Sequence, residues 1–371
     1  MILTASLTLF ALSASVILTL TGQGAPVAVL HLAFAIGVAP LIVAAMLHFV
    51  PVLTRTGDPP RGLRRLPMAA QIAGLLAVAA MQGVLPYWTL HLAALLDLLL
   101  ALALLSWIIR RAHAAIGRPH PGWRWYALAL ACLIAALAVV PLWTAWPPLR
   151  SLHLHLNTLG LVGLAALGTL PVLLPTACAR PDPGAGLWLG RKLWMTVACV
   201  LLIASGSAWH WTLSATGSGL LLVVLLSLLR QWGRAFGVRT LLADGVACSL
   251  LTAVGGLMLT LAAGLAHGFG LLPARLTLLV WLFGFLLPLI SGALSQLLPV
   301  WRWPGRQTPA RLEMRRRLAK TGGWRALLFF VAAVLALAAI ELAAIACAAA
   351  GLLMFGVALL DALRVRQAAQ H

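Results

Sequence analysis

The sequence predicts an all-α integral membrane protein with about twelve transmembrane helices arranged as three quasi-repeats of four. Three observations predict this class: the composition, the succession of apolar segments, and the distribution of basic residues. Of the 371 residues, 63% are apolar and 9% are charged, whereas a soluble domain has about 25% charged residues. The composition excludes an ordinary soluble enzyme and a disordered chain, and the lipid bilayer is the expected partner.

The apolar segments define the predicted spans. A helix that crosses a bilayer needs about 20 apolar residues, and the chain contains twelve such segments separated by short polar or Gly/Pro-rich breaks. They cover residues 2–21, 27–53, 67–85, 88–109, 125–146, 152–175, 188–209, 214–230, 240–267, 276–300, 324–341 and 345–364. Between the last two spans, only Glu341 and the small residues after it indicate an outer turn.

Basic residues set the expected orientation. Of the 26 lysines and arginines, 24 fall in alternate loops or at the C-terminus, including the loop from Arg302 to Arg325, and only Arg150 and Arg275 lie on the other side. Because Lys and Arg accumulate in cytoplasmic loops, we expect a multi-pass protein of the bacterial inner (cytoplasmic) membrane with both termini cytoplasmic. The net charge of +19 then indicates anionic lipid headgroups as partners of the loops, and no nucleic acid.

Three spans are similar when they are aligned on a proline near the cytoplasmic end. They read HLAFAIGVAPLIVAAMLHFVP (31–51), HLNTLGLVGLAALGTLPVLLP (155–175) and LVWLFGFLLPLISGALSQLLP (279–299). Gly160 aligns with Gly284, Gly168 with Gly292, and His31 with His155. A recurrence at spans two, six and ten predicts repeats over 1–112, 113–231 and 232–371 within a single polytopic domain.

Six of the ten histidines lie at predicted periplasmic ends of spans: His31, His91, His153, His155, His210 and His267. A neutral imidazole in hydrocarbon has two polar nitrogens to satisfy, and imidazole is a common ligand of copper, zinc and haem iron. We therefore predict a metal or haem site in the outer half of the bundle. The alternative is that each histidine is separately hydrogen-bonded at the interface. His371 is expected in a cytoplasmic segment.

His153 and His155 lie about 200° apart on a regular helix, so they cannot both face one site unless the first turn is unwound. The face of His153 continues as a small and partly polar stripe of Asn157, Gly160, Leu164, Gly168, Pro171 and Pro175. The face of His155 is expected to contact lipid and continues with Leu159, Val162, Ala166 and Leu170. The first pattern favours His153 as the inward residue and the repeat alignment favours His155, so both remain candidates.

Asp97 is the main carboxylate predicted inside the membrane. It lies about 9 Å below His91 along span four, at about 1.5 Å per residue. Together with Asn157 it could relay protons or carry a cation along a path through the bundle. The alternative is a side chain that is neutral or is paired with a neighbouring helix.

The three quasi-repeats, the histidines at the outer ends of spans two and six, and the Gly/Pro pattern of spans six and ten resemble the core subunit of the haem-copper oxidases. They are still more similar to its smaller relatives of the NnrS type. That resemblance implies haem b and/or copper binding, in denitrification and relief of nitric oxide stress. His31 would match the span-two axial haem ligand, and His153 or His155 the span-six copper ligand; His91, His210 and His267 are candidates for another axial or metal position.

The chain also departs from the oxidase pattern. Span seven has no adjacent histidine pair, span ten has no histidine, and neither tyrosine lies near the span-six histidines. We therefore expect a haem- or copper-binding protein that acts in nitric oxide or copper handling without reducing oxygen, and assign no catalytic residue. The competing hypotheses are a transporter of a small solute or metal ion, and an assembly or structural subunit with a membrane partner or as a homo-oligomer.

Overall fold

The structure, a computed structural model, describes residues 1–366 and is 83% helical, with no strand among those residues. His371 lies outside them. Twelve helices are long and apolar enough to cross a membrane, which confirms the all-α membrane class. They are α1 (Ile2–Thr21), α2 (Pro26–Thr54), α3 (Leu63–Met81), α4 (Trp88–His113), α5 (Gly122–Leu142), α6 (Leu149–Ala177), α7 (Ala185–Ala208), α8 (Trp211–Phe236), α9 (Gly245–Gly268), α10 (Ala274–Arg302), α11 (Pro309–Leu337) and α12 (Glu341–Leu363).

The main difference from the predicted spans is in α11, which consists of two helices, Pro309–Lys320 and Gly322–Leu337. The first lies in the segment predicted as the most basic loop, so that prediction is wrong over these residues. Ala310, Met314 and Leu318 are buried, and their spacing of four residues gives this charged helix one apolar face. The many arginines between them concealed this pattern in the hydropathy of the segment.

Arg325 was counted with that loop although the predicted span 324–341 also contains it, and the structure agrees with the span. It lies within α11 and is fully buried. Its guanidinium donates to Ser295 Oγ at 3.2 Å and to Thr321 Oγ1 at 3.0 Å, and lies 4.8 Å from the ring centroid of Phe355. These contacts compensate for part of the cost of burying the charge.

The turn before the last span lies where the sequence indicated it. Ala339 has a left-handed backbone with φ 61°, and α12 begins at Glu341. The Glu341 carboxylate forms an ion pair with Arg275 at 2.7 Å. This pair joins the start of α12 to the start of α10.

The chain divides into two compact units. Unit 1 comprises Met1, Leu3–Thr169 and Ala185–Leu221. Unit 2 comprises Ile2, Leu170–Gly184 and the described residues from Leu222 onward. The division of the chain into three quasi-repeats stays a prediction.

Three spans change from α- to π-helix for part of their length, and they are α2, α6 and α10. The π-helical segments are Leu32–Val38, Leu156–Gly163 and Trp281–Leu286, and no other described residue is π-helical. A π-helix has i→i+5 hydrogen bonds, and it is rare and often found at functional sites. These are the three spans that align in the sequence.

A glycine makes a close contact at each π-helical segment. A Cβ on Gly74 of α3 would lie 2.5 Å from the carbonyl oxygen of Ala35, and one on Gly160 of α6 would lie 2.6 Å from Cys132 Cβ. On α9, a Cβ on Gly256 would overlap the carbonyl group of Gly284. Each segment is therefore packed against its neighbour so closely that a larger residue would force the helices apart.

Candidate functional site

The structure brings His31 and His153 together in unit 1. Their ring centroids lie 6.4 Å apart and the ring planes differ by 19°. His31 is the last residue before the π-helical segment of α2, and His153 lies in the first α-helical turns of α6. Two of the six histidines predicted to share a site are therefore neighbours.

Backbone carbonyls determine the tautomers of both rings. His31 Nδ1 lies 2.8 Å from the carbonyl oxygen of Val27, and His153 Nδ1 lies 2.8 Å from that of Ala136. Because a carbonyl oxygen can only accept, Nδ1 carries the proton in each neutral ring and Nε2 keeps its lone pair. An Nδ1–H···O=C bond of this kind is what orients a metal-binding imidazole.

The two Nε2 atoms differ in their surroundings. His31 Nε2 has no hydrogen-bond partner in the described part of the chain. His153 Nε2 lies 3.2 Å from the amide nitrogen of Asn157, which also donates to the carbonyl oxygen of His153 at 2.9 Å. Asn157 is buried in the π-helical segment of α6. Its amide would have to leave Nε2 before that atom could bind a metal.

Aromatic side chains connect this pair to a third histidine. The edge of Trp143 contacts His153, with centroids 5.2 Å apart, and its Nε1 donates to Tyr87 Oη at 3.0 Å. Tyr87 contacts His91 edge-on at 5.6 Å. We call the five residues His31, His153, Trp143, Tyr87 and His91 the imidazole–aromatic cluster.

Trp143 and Tyr87 were not predicted as members of the site. Trp143 lies just after α5, where tryptophan is expected as an interfacial anchor. Tyr87 precedes His91 by four residues, a spacing that places side chains on one side of a helical turn. That spacing was the available signal for Tyr87, whereas the contacts of Trp143 depend on tertiary packing.

A buried apolar core holds the cluster in position. It consists of Ala77, Ala80, Leu90, Ala93, Val140, Trp143 and Leu149. The small alanines of α3 and α4 allow these two helices to approach each other closely. His91 lies one residue after Leu90 of this core, and its Nδ1 is buried without a hydrogen-bond partner. A buried nitrogen without a hydrogen bond lowers the stability of the fold by about 1–3 kcal/mol. A water molecule or a ligand is therefore expected to bind at this atom.

The other predicted histidines lie elsewhere. His155 Nδ1 contacts the carbonyl oxygen of Ser151 at 2.8 Å. His210 is exposed at the end of α7. His267 belongs to unit 2, where its Nδ1 contacts the carbonyl oxygen of Leu272 at 2.8 Å. No group of three His, Cys, Asp or Glu side chains suited to a metal ion occurs in residues 1–366.

The expectation that the His155 face of α6 contacts lipid is wrong. Its members are all buried: Leu159, Val162, Ala166 and Leu170. The helix is surrounded because α5 and α7 both pack against its unit 1 portion. An apolar face in this span therefore indicates contact with protein.

Asp97 is half-buried on α4, and its carboxylate forms no hydrogen bond or ion pair within the described residues. A carboxyl group in an apolar span is costly to ionise unless it has a partner or water. Three glutamines in or next to the spans have hydrogen-bond partners. Gln71 donates to Ile36, Gln82 accepts from Ala25, and Gln296 accepts from Arg315.

The fold and the cluster define a polytopic all-α membrane protein with an imidazole-rich site in unit 1. No protein-family model, curated protein or solved structure matches the chain. The similarity to the haem-copper oxidases and to the NnrS type stays a prediction from the sequence.

Proposed function

We propose that this chain is a membrane haem- or copper-binding protein whose site is built on His31 and His153. The observation that carries the proposal is the pair of imidazoles whose Nδ1 atoms are bound to carbonyls, with His31 Nε2 available and His153 Nε2 held only by the Asn157 amide. With metal–nitrogen bonds of about 2 Å, two imidazoles on one ion have ring centroids about 5–6 Å apart. The observed 6.4 Å is close to this range.

The donor set favours haem iron or copper over a structural zinc site. A closed zinc site needs four protein ligands, whereas the described residues place two imidazoles together and no group of three donors. Two imidazoles suffice as the axial pair of a haem, and imidazole also suits copper. His31 and His153 would hold the iron or copper, which would supply a redox-active centre.

The proposed role is in nitric oxide stress, denitrification or copper handling, as the resemblance implies. Oxygen reduction is not proposed because α10 contains no histidine. Three quasi-repeats of four helices form part of the proposal. Their support is that the π-helical segments begin one, one and two residues after the aligned positions 31, 155 and 279.

Metal analysis and a reduced-minus-oxidised visible spectrum of the purified protein test this function. We expect about one haem iron or copper per chain, which His31→Ala and His153→Ala should remove. His113→Ala is the matched control, since its Nδ1 also contacts a carbonyl oxygen, that of Ile109 at 3.0 Å, but it is exposed at the far end of α4. A wild-type protein with neither a Soret band nor copper would refute the proposal, as would equal metal loss in the control.

A second candidate function is transport of a small solute or metal ion. It is favoured by two polar groups without partners on α4, the Asp97 carboxylate and His91 Nδ1. Flux in proteoliposomes that falls in Asp97→Asn, but not in the exposed loop variant Asp58→Asn, would support transport. A lack of flux for protons and for every metal ion tested would count against it. A membrane partner or a homo-oligomer that stays associated through purification would instead favour an assembly role.

A further inference from the structure

Unit 2 contains a basic cleft at the arginine-rich end of its helices. The cleft has a volume of about 480 Å³ and lies between the C-terminal ends of α6 and α10 and the first half of α11. The polar side chains of its lining include Arg180, Gln296, Gln307, Arg311 and Arg315, and none of its lining residues is acidic. This volume is within the range of small-molecule sites, about 300–1,000 Å³.

Arg315 gives the cleft a fixed wall. Its Nε donates to Gln296 Oε1 at 2.7 Å, and its Nη2 donates to the carbonyl oxygen of Ala177 at 2.7 Å and to Asp244 Oδ2 at 3.1 Å. Asp244 in turn caps α9 by accepting from the backbone amides of Val246 and Ala247. One guanidinium thus connects α6, α10 and α11 to the start of α9, and its charge is compensated by Asp244.

The other two arginines of the cleft have no acidic partner. The Arg180 side chain forms no hydrogen bond or ion pair within residues 1–366, and the Arg311 guanidinium donates only to the carbonyl oxygen of Gly305, at 3.0 Å. On the same helix as Arg311, both Arg316 and Arg317 pair with Glu313. The acidic residues of this region therefore lie outside the cleft, and two positive charges remain uncompensated beside it.

We propose that this cleft binds a phosphate group. Guanidinium groups match phosphate oxygens through paired N–H donors, and Gln307 adds a neutral donor. Pro299, Val300 and Leu312 supply an apolar side, which suits a phosphate that carries an apolar substituent. The phosphate could belong to an anionic lipid headgroup or to a free phosphate compound. This site is in unit 2 and does not depend on the proposed haem or copper function.

The double variant Arg180→Gln/Arg311→Gln tests the proposal in lipid nanodiscs. Arg316→Gln is the matched control, because it removes one positive charge from the same helix outside the cleft. In the lipid arm, native mass spectrometry measures phosphatidylglycerol retained from mixed phosphatidylcholine discs. In the phosphate arm, the unfolding temperature in pure phosphatidylcholine discs is measured with inorganic phosphate against chloride at equal ionic strength.

We expect wild-type binding in at least one arm, a loss of at least tenfold in the double variant, and a change below twofold in the control. Binding in the lipid arm alone would identify a headgroup site, and binding in the phosphate arm alone a site for free phosphate. No binding in either arm, or an equal loss in Arg316→Gln, would overturn the proposal. If the double variant does not fold, the single variant Arg180→Gln replaces it, since the Arg180 side chain forms no hydrogen bond or ion pair within residues 1–366.

Discussion

Spans α2 and α10 share a backbone feature but differ in the chemistry beside it. Each contains a π-helical segment packed against a glycine of the neighbouring helix, Gly74 in one case and Gly256 in the other. In α2 this segment follows directly after His31, whose Nε2 is available. In α10 it begins with Trp281, whose buried Nε1 has no hydrogen-bond partner. An indole nitrogen only donates and cannot bind a metal.

This difference indicates that the π-helical segments serve helix packing wherever they occur. The imidazoles beside them are a separate feature, which the described residues show for α2 and α6 in unit 1. An irregular backbone alone is therefore a weak sign of a ligand site in this chain. The proposed metal site depends on the imidazole lone pairs, that of His31 Nε2 and that of His153 Nε2, which now accepts from Asn157.

The largest expected effect concerns the close contact between α9 and the π-helical segment of α10. Gly256→Ala should destabilise the protein by about 3 kcal/mol, because its Cβ would overlap the Gly284 carbonyl and push α9 away from α10. The neighbouring Gly255 has no atom within 4 Å of an added Cβ, so Gly255→Ala should be neutral or stabilise by up to about 1 kcal/mol through helix propensity. Thermal unfolding in detergent, followed by tryptophan fluorescence, measures both. Equal unfolding temperatures would show that the close contact does not limit packing.

Hydropathy and the positions of the charges sufficed to predict the twelve spans, because a membrane span is determined by the composition of its own segment. The turn at Glu341 could be predicted for the same reason. The helix over 309–320 could not, since its three buried side chains are outnumbered by arginines. The π-helical segments have no composition of their own, and the sequence indicated only that the three spans containing them are related.

For the candidate site, the sequence identified the histidines but left their partners open. The small and polar stripe on the face of His153 favoured this residue, and the structure places it beside His31. The repeat alignment instead favoured His155, because alignment compares positions along a helix and contains no information on which neighbour each face meets. The Trp143–Tyr87 bond and the Arg315–Asp244 pair join segments far apart in sequence. No local sequence pattern could predict these contacts.

The second prediction concerns the aromatic half of the cluster. Tyr87→Phe removes the acceptor of Trp143 Nε1 and leaves a largely buried donor unsatisfied, which should cost about 1–2 kcal/mol. Tyr126→Phe is the matched control, because the partner of Tyr126, the Thr169 hydroxyl, also bonds to the carbonyl oxygen of Ala165 at 2.7 Å. Its loss of stability should be smaller in the same unfolding assay. The reverse order would mean that the Trp143–Tyr87 bond does not stabilise the cluster.

The smallest expected effect concerns the affinity of the proposed metal site. In the protein without metal, the Asn157 amide donates to His153 Nε2 at 3.2 Å, and metal binding must break this bond. Asn157→Ala removes the competition, so copper or haem should bind about fivefold more tightly, as expected for one hydrogen bond of about 1 kcal/mol. Thr158→Ala is the control, since Thr158 lies in the same π-helical segment as Asn157 and its hydroxyl bonds only to the carbonyl oxygen of Leu154. Titration of both variants with copper and with haem measures the change. Weaker binding in Asn157→Ala alone would show that the amide positions the imidazole for the metal. Equal changes in both variants would show that the effect comes from the π-helical backbone of α6, a feature that α2 and α10 also have.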